Sequence, residues 1–100
     1  MFDVAVRCKG DPAEGWTCAV TVREGSRDVS THRVRVAPED LERLAPAAAD
    51  PTDLVERSFA FLLEREPPGS ILRSFDVRLI GRYFPEYESE IIARGRGPAA

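Results

Sequence analysis

The sequence predicts an α+β fold, in which a three-stranded antiparallel meander packs against one long helix, with short C-terminal helices. Two observations point to this fold class. The first 36 residues alternate between apolar and polar side chains with period two, which is typical of strands. From Ala37 onward the apolar residues recur every three or four positions, as in helices, and prolines divide this half into segments.

Three strands follow from the alternation, and turn residues at 9–15 and 24–27 separate them. Each strand has one mainly apolar face and one polar face, so we expect the meander to have a buried side and a solvated side. The residues on the side predicted to be buried are Phe2, Val4, Val6, Cys8, Trp16, Cys18, Val20, Val22, Ser30, His32, Val34 and Val36.

The helical half begins at Pro38, because proline is tolerated at the first position of a helix. Asp50 is a strong N-cap for the long helix, which carries an apolar stripe and ends before the Pro-Pro-Gly sequence at 67–69. Short helices over 77–84 and from Pro85 onward are expected to close the open end of the core.

The size and composition of the chain indicate one domain. We predict a single α+β domain over residues 1–95 and a flexible tail over 96–100, where glycine and proline are concentrated. No apolar run approaches the roughly 20 residues that span a bilayer. The N-terminus lacks the basic and apolar regions of a signal peptide, so we expect a cytoplasmic protein without a membrane partner.

The two cysteines, Cys8 and Cys18, are predicted to be free thiols in the core, because the expected compartment is reducing. A disulfide is the alternative if the two residues flank a hairpin. A structural zinc site needs about four ligands, and these cysteines together with His32 are too few. We therefore predict no metal and no cofactor.

No catalytic constellation is recognisable in the sequence, which lacks a phosphate-binding glycine loop, a dinucleotide fingerprint, an HExxH pair and a serine elbow. His32 on an apolar strand face is typical of a packed residue, and a nucleophilic pair with Cys18 is the alternative. Glu86, Glu88 and Glu90 are typical of an acidic first helical turn. We predict that the protein is not an enzyme; a deep pocket lined by polar groups would argue otherwise.

The solvated side of the sheet carries four arginines, which are the candidate anion-binding residues: Arg7, Arg23, Arg33 and Arg35. Such a face binds nucleic acid through phosphate contacts. The alternative is an ordinary solvated face whose arginine stems cover small neighbours. A net charge of −3 and the lack of aromatic residues on this face do not favour nucleic acid.

Aromatic side chains cluster around Pro85. Tyr83, Phe84 and Tyr87 are the candidate partner-binding residues, because exposed aromatic residues are enriched at protein interfaces. The alternative is a hydrophobic lid that closes the core beneath the long helix, a role that also suits tyrosine.

The C-terminal two fifths of the chain contain the motifs FLLEREP at 61–67, SIL at 70–72, FD at 75–76 and YFPEYE at 83–88. This block resembles a family of small uncharacterised bacterial proteins. The resemblance implies a compact cytoplasmic protein and brings no activity, cofactor or site residue. The order of three strands and a helix also resembles the core of HicB-type antitoxin domains, which implies a regulatory role.

We therefore predict a non-enzymatic protein-interaction or regulatory module that binds an unknown protein partner through the 83–87 corner or a sheet edge. A three-stranded sheet has two open edges, and its first and third strands can pair with a second copy, so we expect a homodimer. The alternative function is anion or nucleic-acid binding through the arginine-bearing face, as in an antitoxin-like regulator.

Overall fold

The computed structural model describes residues 1–95, which form a mixed sheet with helices on one side. The α+β class is confirmed, and the tail predicted at 96–100 lies outside the described residues. The elements within the described range are β1 (Phe2–Asp11), β2 (Gly15–Glu24), β3 (Arg27–Val36), α1 (Pro38–Leu44), α2 (Thr52–Leu63), β4 (Ser74–Asp76), α3 (Ile80–Tyr83) and α4 (Tyr87–Gly95), with 3₁₀ turns at Pro68–Ser70 and Val77–Leu79.

The sheet has the strand order β1-β2-β3-β4, and its first three strands form the predicted antiparallel meander. The prediction of three strands is wrong, because β4 pairs with β3 in the parallel direction. The pairing is extended by a hydrogen bond from the Arg33 amide to the Arg73 carbonyl, at 2.7 Å. A strand of three residues is too short to show an alternating pattern, so the local sequence contains no signal for it.

The predicted buried side of the sheet is roofed by helices. Val20 and Val34 on the sheet and Phe59 on α2 are each at most 1% exposed, so the facing of the strands and the position of the helix are confirmed. The prediction of one long helix is wrong, because α2 has 12 residues and is about 18 Å long. Helices α1 and α4 complete the roof through Leu44, Tyr87 and Ile91.

The start of α2 lies one residue later than predicted, because the N-cap is Pro51 and not Asp50, and no side chain caps the helix. The Asp50 carboxylate accepts a hydrogen bond from the Thr52 amide at 2.9 Å, and hydrogen bonds from Thr52 hold the pKa of Asp50 below its usual value. Further along, Arg57 donates to the Ile91 carbonyl at 2.8 Å and so ties α2 to α4. Helix α2 is therefore anchored at its N-terminus and along its side.

Arginine side chains explain the acidic cluster in the C-terminal region. Arg65 forms ion pairs with Glu86 at 3.3 Å and Glu90 at 2.7 Å, while its guanidinium lies over the Phe61 ring at 3.6 Å. The carboxylate of Glu64 accepts a hydrogen bond from Arg94 of α4 at 2.7 Å, and this bond lowers the pKa of Glu64. The acidic residues at 86 and 90 thus join α2 to α4.

Cys8 and Cys18 lie directly opposite each other in β1 and β2 and form a disulfide. The prediction of free thiols is therefore wrong, and a nucleophilic pair of Cys18 with His32 is excluded. Period two placed both cysteines on the inner face, but only the register of the hairpin shows that they are cross-strand partners. None of the helices within residues 1–95 is long and apolar enough to cross a membrane.

Candidate functional site

An apolar groove of about 260 Å³ lies between the end of α2, the loop before β4, and α3. Its lining includes Ile71, Leu72, Phe75, Leu79, Tyr83 and Phe84. Leu72 and Tyr83 are 49% and 66% exposed, and with Met1 they are the exposed large apolar side chains of the described chain. Both residues line the same groove, so exposed large apolar side chains are concentrated at this part of the surface.

The groove is built by the irregular segment that follows α2. Helix α2 ends at Leu63, and the extended backbone of Pro67 then leads into the 3₁₀ turn at Pro68–Ser70. Pairing of β4 with β3 then places the Phe75 ring 6.2 Å from the Phe59 ring, so one wall is held by the core. Asp76 accepts a hydrogen bond from the Arg78 amide at 3.2 Å and caps the turn that leads into α3.

The aromatic corner is divided between surface and core. Tyr83 is exposed, Phe84 is half-buried, and Tyr87 is fully buried. The Tyr87 hydroxyl lies 2.7 Å from the Ser58 hydroxyl on α2, and burial raises the pKa of Tyr87 to about 12. The rings of Phe84 and Tyr87 both contact Phe61 edge-on, at 5.7 and 5.3 Å. The structure therefore places Tyr87 in the core, as in the lid interpretation, and leaves Tyr83 as the exposed candidate.

Two cations accompany the exposed lining residues in the chain. Arg73 follows Leu72 and Arg82 precedes Tyr83, and both arginines are exposed. Within residues 1–95 neither has a carboxylate within 4.0 Å, whereas Arg78 pairs with Asp76 at 3.5 Å. Neither arginine is among the residues that line the groove, and the charged residue of the lining is Glu66, so the uncompensated positive charge lies outside the groove.

The bare side of the sheet brings three of the four predicted arginines together. Strand register aligns Arg7 and Arg33 on either side of Ala19, and it aligns Lys9 and Arg35 on either side of Thr17. These two rows are adjacent, and all four cations are exposed. We call Arg7, Lys9, Arg33 and Arg35 the basic patch. Sequence reasoning missed Lys9, although it has the same strand parity as Arg7.

Arg23 does not belong to the basic patch. It lies four residues along β2 from Ala19, which corresponds to about 13 Å, and it pairs with Asp28 at 2.6 Å. By contrast, no carboxylate lies within 4.0 Å of a patch cation among the described residues. Arg35 donates one hydrogen bond, to the Glu14 carbonyl at 2.7 Å.

His32 is a packed residue beside a second cleft of about 300 Å³. Its Nδ1 lies 2.7 Å from the Leu72 carbonyl, which can only accept, so Nδ1 donates. Its Nε2 lies 2.8 Å from the Ser30 hydroxyl. Both ring nitrogens therefore have hydrogen-bond partners within the protein, as expected for a packed residue.

Comparisons with protein-family models, curated proteins and solved structures gave no match for this chain. The groove and the basic patch are therefore interpreted from their own geometry. The groove combines exposed apolar side chains with a concave shape, and the basic patch is flat and charged. These properties suit different ligands.

Proposed function

We propose that the protein is a small interaction module that binds a partner protein through the apolar groove. The observation that carries this proposal is the placement of exposed Leu72 and Tyr83 on one concave surface. Exposed apolar groups gain free energy when a partner covers them, roughly 1 kcal/mol for each half-exposed large side chain. Aromatic anchors of this kind are enriched at protein interfaces.

The groove favours a short partner segment with an apolar anchor, and the exposed arginines outside the groove favour acidic residues on either side of that anchor. Its volume of about 260 Å³ is smaller than most small-molecule sites, and it suits one or two apolar side chains. Arg73 and Arg82 lie outside the groove and favour carboxylates that flank the anchor, because opposite charges steer association and select the partner. Glu66 in the lining disfavours a carboxylate inside the groove itself. The proposed partner is therefore an apolar and acidic segment of another protein.

Selection from a displayed peptide library tests this proposal. We expect enriched peptides to combine a large apolar residue with aspartate or glutamate, and their amide chemical-shift changes to map to Leu72, Phe75 and Tyr83. The double variant Leu72→Ser, Tyr83→Ser should lose binding, whereas Thr31→Ala on the bare side of the sheet should retain it. Enrichment of no peptide, or shift changes that map away from the groove, would contradict the proposal.

The basic patch supports a second candidate function, which is anion or nucleic-acid binding. Four cations lie in two adjacent rows without a carboxylate partner in the described chain, so they are available to phosphates. We expect Arg33→Glu with Arg35→Glu to abolish a low-salt electrophoretic shift. Arg23→Glu is the matched control, because it makes the same kind of charge change outside the patch. Equal losses in both variants, or no shift in the wild type, would exclude this function.

The homodimer and the cytoplasmic location belong to the same proposal. β4 occupies the edge of β3 over Arg33–Arg35, so among residues 1–95 the edge without a neighbouring strand along its length is that of β1. A disulfide is typical of oxidising compartments, and alkylation of free thiols in intact cells before lysis would show whether Cys8 and Cys18 are joined there. Alkylated cysteines would support the cytoplasmic location, and protected cysteines would contradict it.

A further inference from the structure

The hydrogen bonding of β3 and β2 shows which residues of β1 direct their backbone N–H and C=O groups towards the outer edge of the sheet. On β3, the Arg33 amide points away from β2, since it donates to Arg73 on the β4 side. The next residue, Val34, therefore bonds towards its β2 partner Cys18. Cys18 then faces β3 and not β1, so the backbone groups of Cys8 point to the open edge.

The short Cα–Cα distance of 4.0 Å between Cys8 and Cys18 agrees with this assignment, because opposite residues without mutual hydrogen bonds are the closer kind of pair. Since backbone direction alternates along a strand, Phe2, Val4 and Val6 also direct their N–H and C=O groups outward. The open edge therefore offers the donors and acceptors of every second residue from Phe2 to Cys8.

The apolar side of β1 is covered less completely than that of its neighbour. Val4 and Val6 are half-buried, whereas their cross-strand partners Val22 and Val20 are at most 1% exposed. Phe2 and Cys8 are half-buried as well. The helical roof thus ends over β1, and an apolar strip reaches the open edge of the sheet.

We propose that two copies of the protein pair β1 with β1 in the antiparallel direction, about a two-fold axis at Ala5. In this register Val4 lies opposite Val6 of the second copy, and Phe2 lies opposite Cys8. On the bare side of the sheet Asp3 lies opposite Arg7, twice by symmetry. The strand is therefore complementary to itself in both polarity and charge, which a two-fold interface requires.

The other antiparallel registers that keep the backbone groups matched are less complementary. A shift that places Val6 on the axis pairs Asp3 with Lys9, but it leaves the Phe2 ring opposite Gly10, which has no side chain. A shift that places Val4 on the axis leaves Asp3 opposite Ala5. Only the register centred on Ala5 pairs all four half-covered side chains with one another and Asp3 with Arg7.

Features that commonly protect an open edge are missing from this part of β1. Proline, a bulge or a row of like charges usually prevents edge-to-edge pairing. Residues 2–8 contain no proline, their register with β2 is unbroken, and their charges are of opposite sign. The dimer contains one continuous sheet, and it does not depend on the groove or on the basic patch as binding sites.

Charge variants analysed by sedimentation equilibrium test the register. We expect the wild type to dimerise, and Asp3→Arg and Arg7→Asp each to weaken the homodimer roughly tenfold, because two attractive pairs become repulsive. An equimolar mixture of these two variants should dimerise again, since the arginine introduced at position 3 of one copy then faces the aspartate introduced at position 7 of the other. Arg33→Asp on the same side of the sheet is the matched control and should dimerise like the wild type.

Cross-linking provides a second test, which does not depend on weakening the dimer. Ala5→Cys places two thiols across the proposed axis, so mild oxidation should give a covalent dimer, with the bond located by peptide mass mapping. Thr31→Cys, which is also exposed on the same side of the sheet, should form no covalent dimer under the same conditions. A monomeric wild type at high micromolar concentration, or equal cross-linking of the two variants with native circular dichroism, would overturn the proposal.

Discussion

The two sides of the sheet use alternate residues of the same strands for opposite purposes. Val34 on β3 is 1% exposed beneath the helices, while its neighbours Arg33 and Arg35 are exposed on the bare side. The covered side buries apolar area and provides most of the folding free energy. The bare side makes few contacts, so its side chains are free for binding. The comparison predicts large stability effects on one side and small ones on the other.

The largest effect is expected from Phe59→Ala, which removes a ring that contacts His32 and Phe75 beneath α2. We expect the free energy of unfolding to fall by about 4 kcal/mol, from lost burial and the cavity that remains. Urea denaturation measures the change, with Thr31→Ala on the bare side as control. Similar losses in the two variants would break the distinction between the sides.

The second effect concerns the buried hydroxyl of Tyr87 on the covered side. Burial raises its pKa to about 12 from a usual value of 10, so the unfolded chain loses this proton first as pH rises. The free energy of unfolding is then unaffected below pH 10 and falls between pH 10 and 12, by about 3 kcal/mol. The control is Tyr87→Phe, in which this part of the pH dependence should disappear; identical curves would contradict the assignment.

The third effect comes from the disulfide on the covered side, which links β1 to β2 across a separation of 10 residues. Closing a loop of this length in the unfolded chain stabilises the fold by roughly 2–3 kcal/mol. We expect a reducing agent to lower the melting temperature of the wild type and to leave that of Cys8→Ala, Cys18→Ala unchanged. An equal response of the two proteins would show that the disulfide does not stabilise the fold.

The smallest effect is expected on the bare side. Arg33→Ala and Arg35→Ala should each change the free energy of unfolding by less than about 0.5 kcal/mol, because exposed side chains without ion pairs contribute little. Urea denaturation at low and high salt measures the change. A loss of more than about 1 kcal/mol in either variant would show that the basic patch has a structural role.

Features with a local signal were predictable from the sequence. Alternation assigned the facing of Val20, Val34 and their neighbours, because side chains on a strand change face with every residue. The apolar stripe that contains Phe59 located α2, because residues three and four apart share a helix face, while the cap predicted at Asp50 placed the start of the helix one residue too early. The candidate arginines were likewise placed on the correct side of the sheet.

Features that depend on two distant segments were not predictable. Tyr83 and Tyr87 are four residues apart, which on one helix would place them on the same face. Pro85 instead separates α3 from α4, so the helical period is interrupted and one tyrosine is exposed while the other is buried. The addition of Lys9 to the basic patch and the separation of Arg23 from it required the strand register.

The sequence by itself determined which side of each strand and helix is apolar, because the backbone periods of 2 and 3.6 residues relate neighbours directly to faces. Only the tertiary structure decided which faces meet. The parallel pairing of β4, the bond between Cys8 and Cys18, the groove beside Tyr83 and the open edge of β1 all depend on contacts between separate segments of the chain. Such contacts arise from the packing of the whole core, and a local sequence pattern does not predict them.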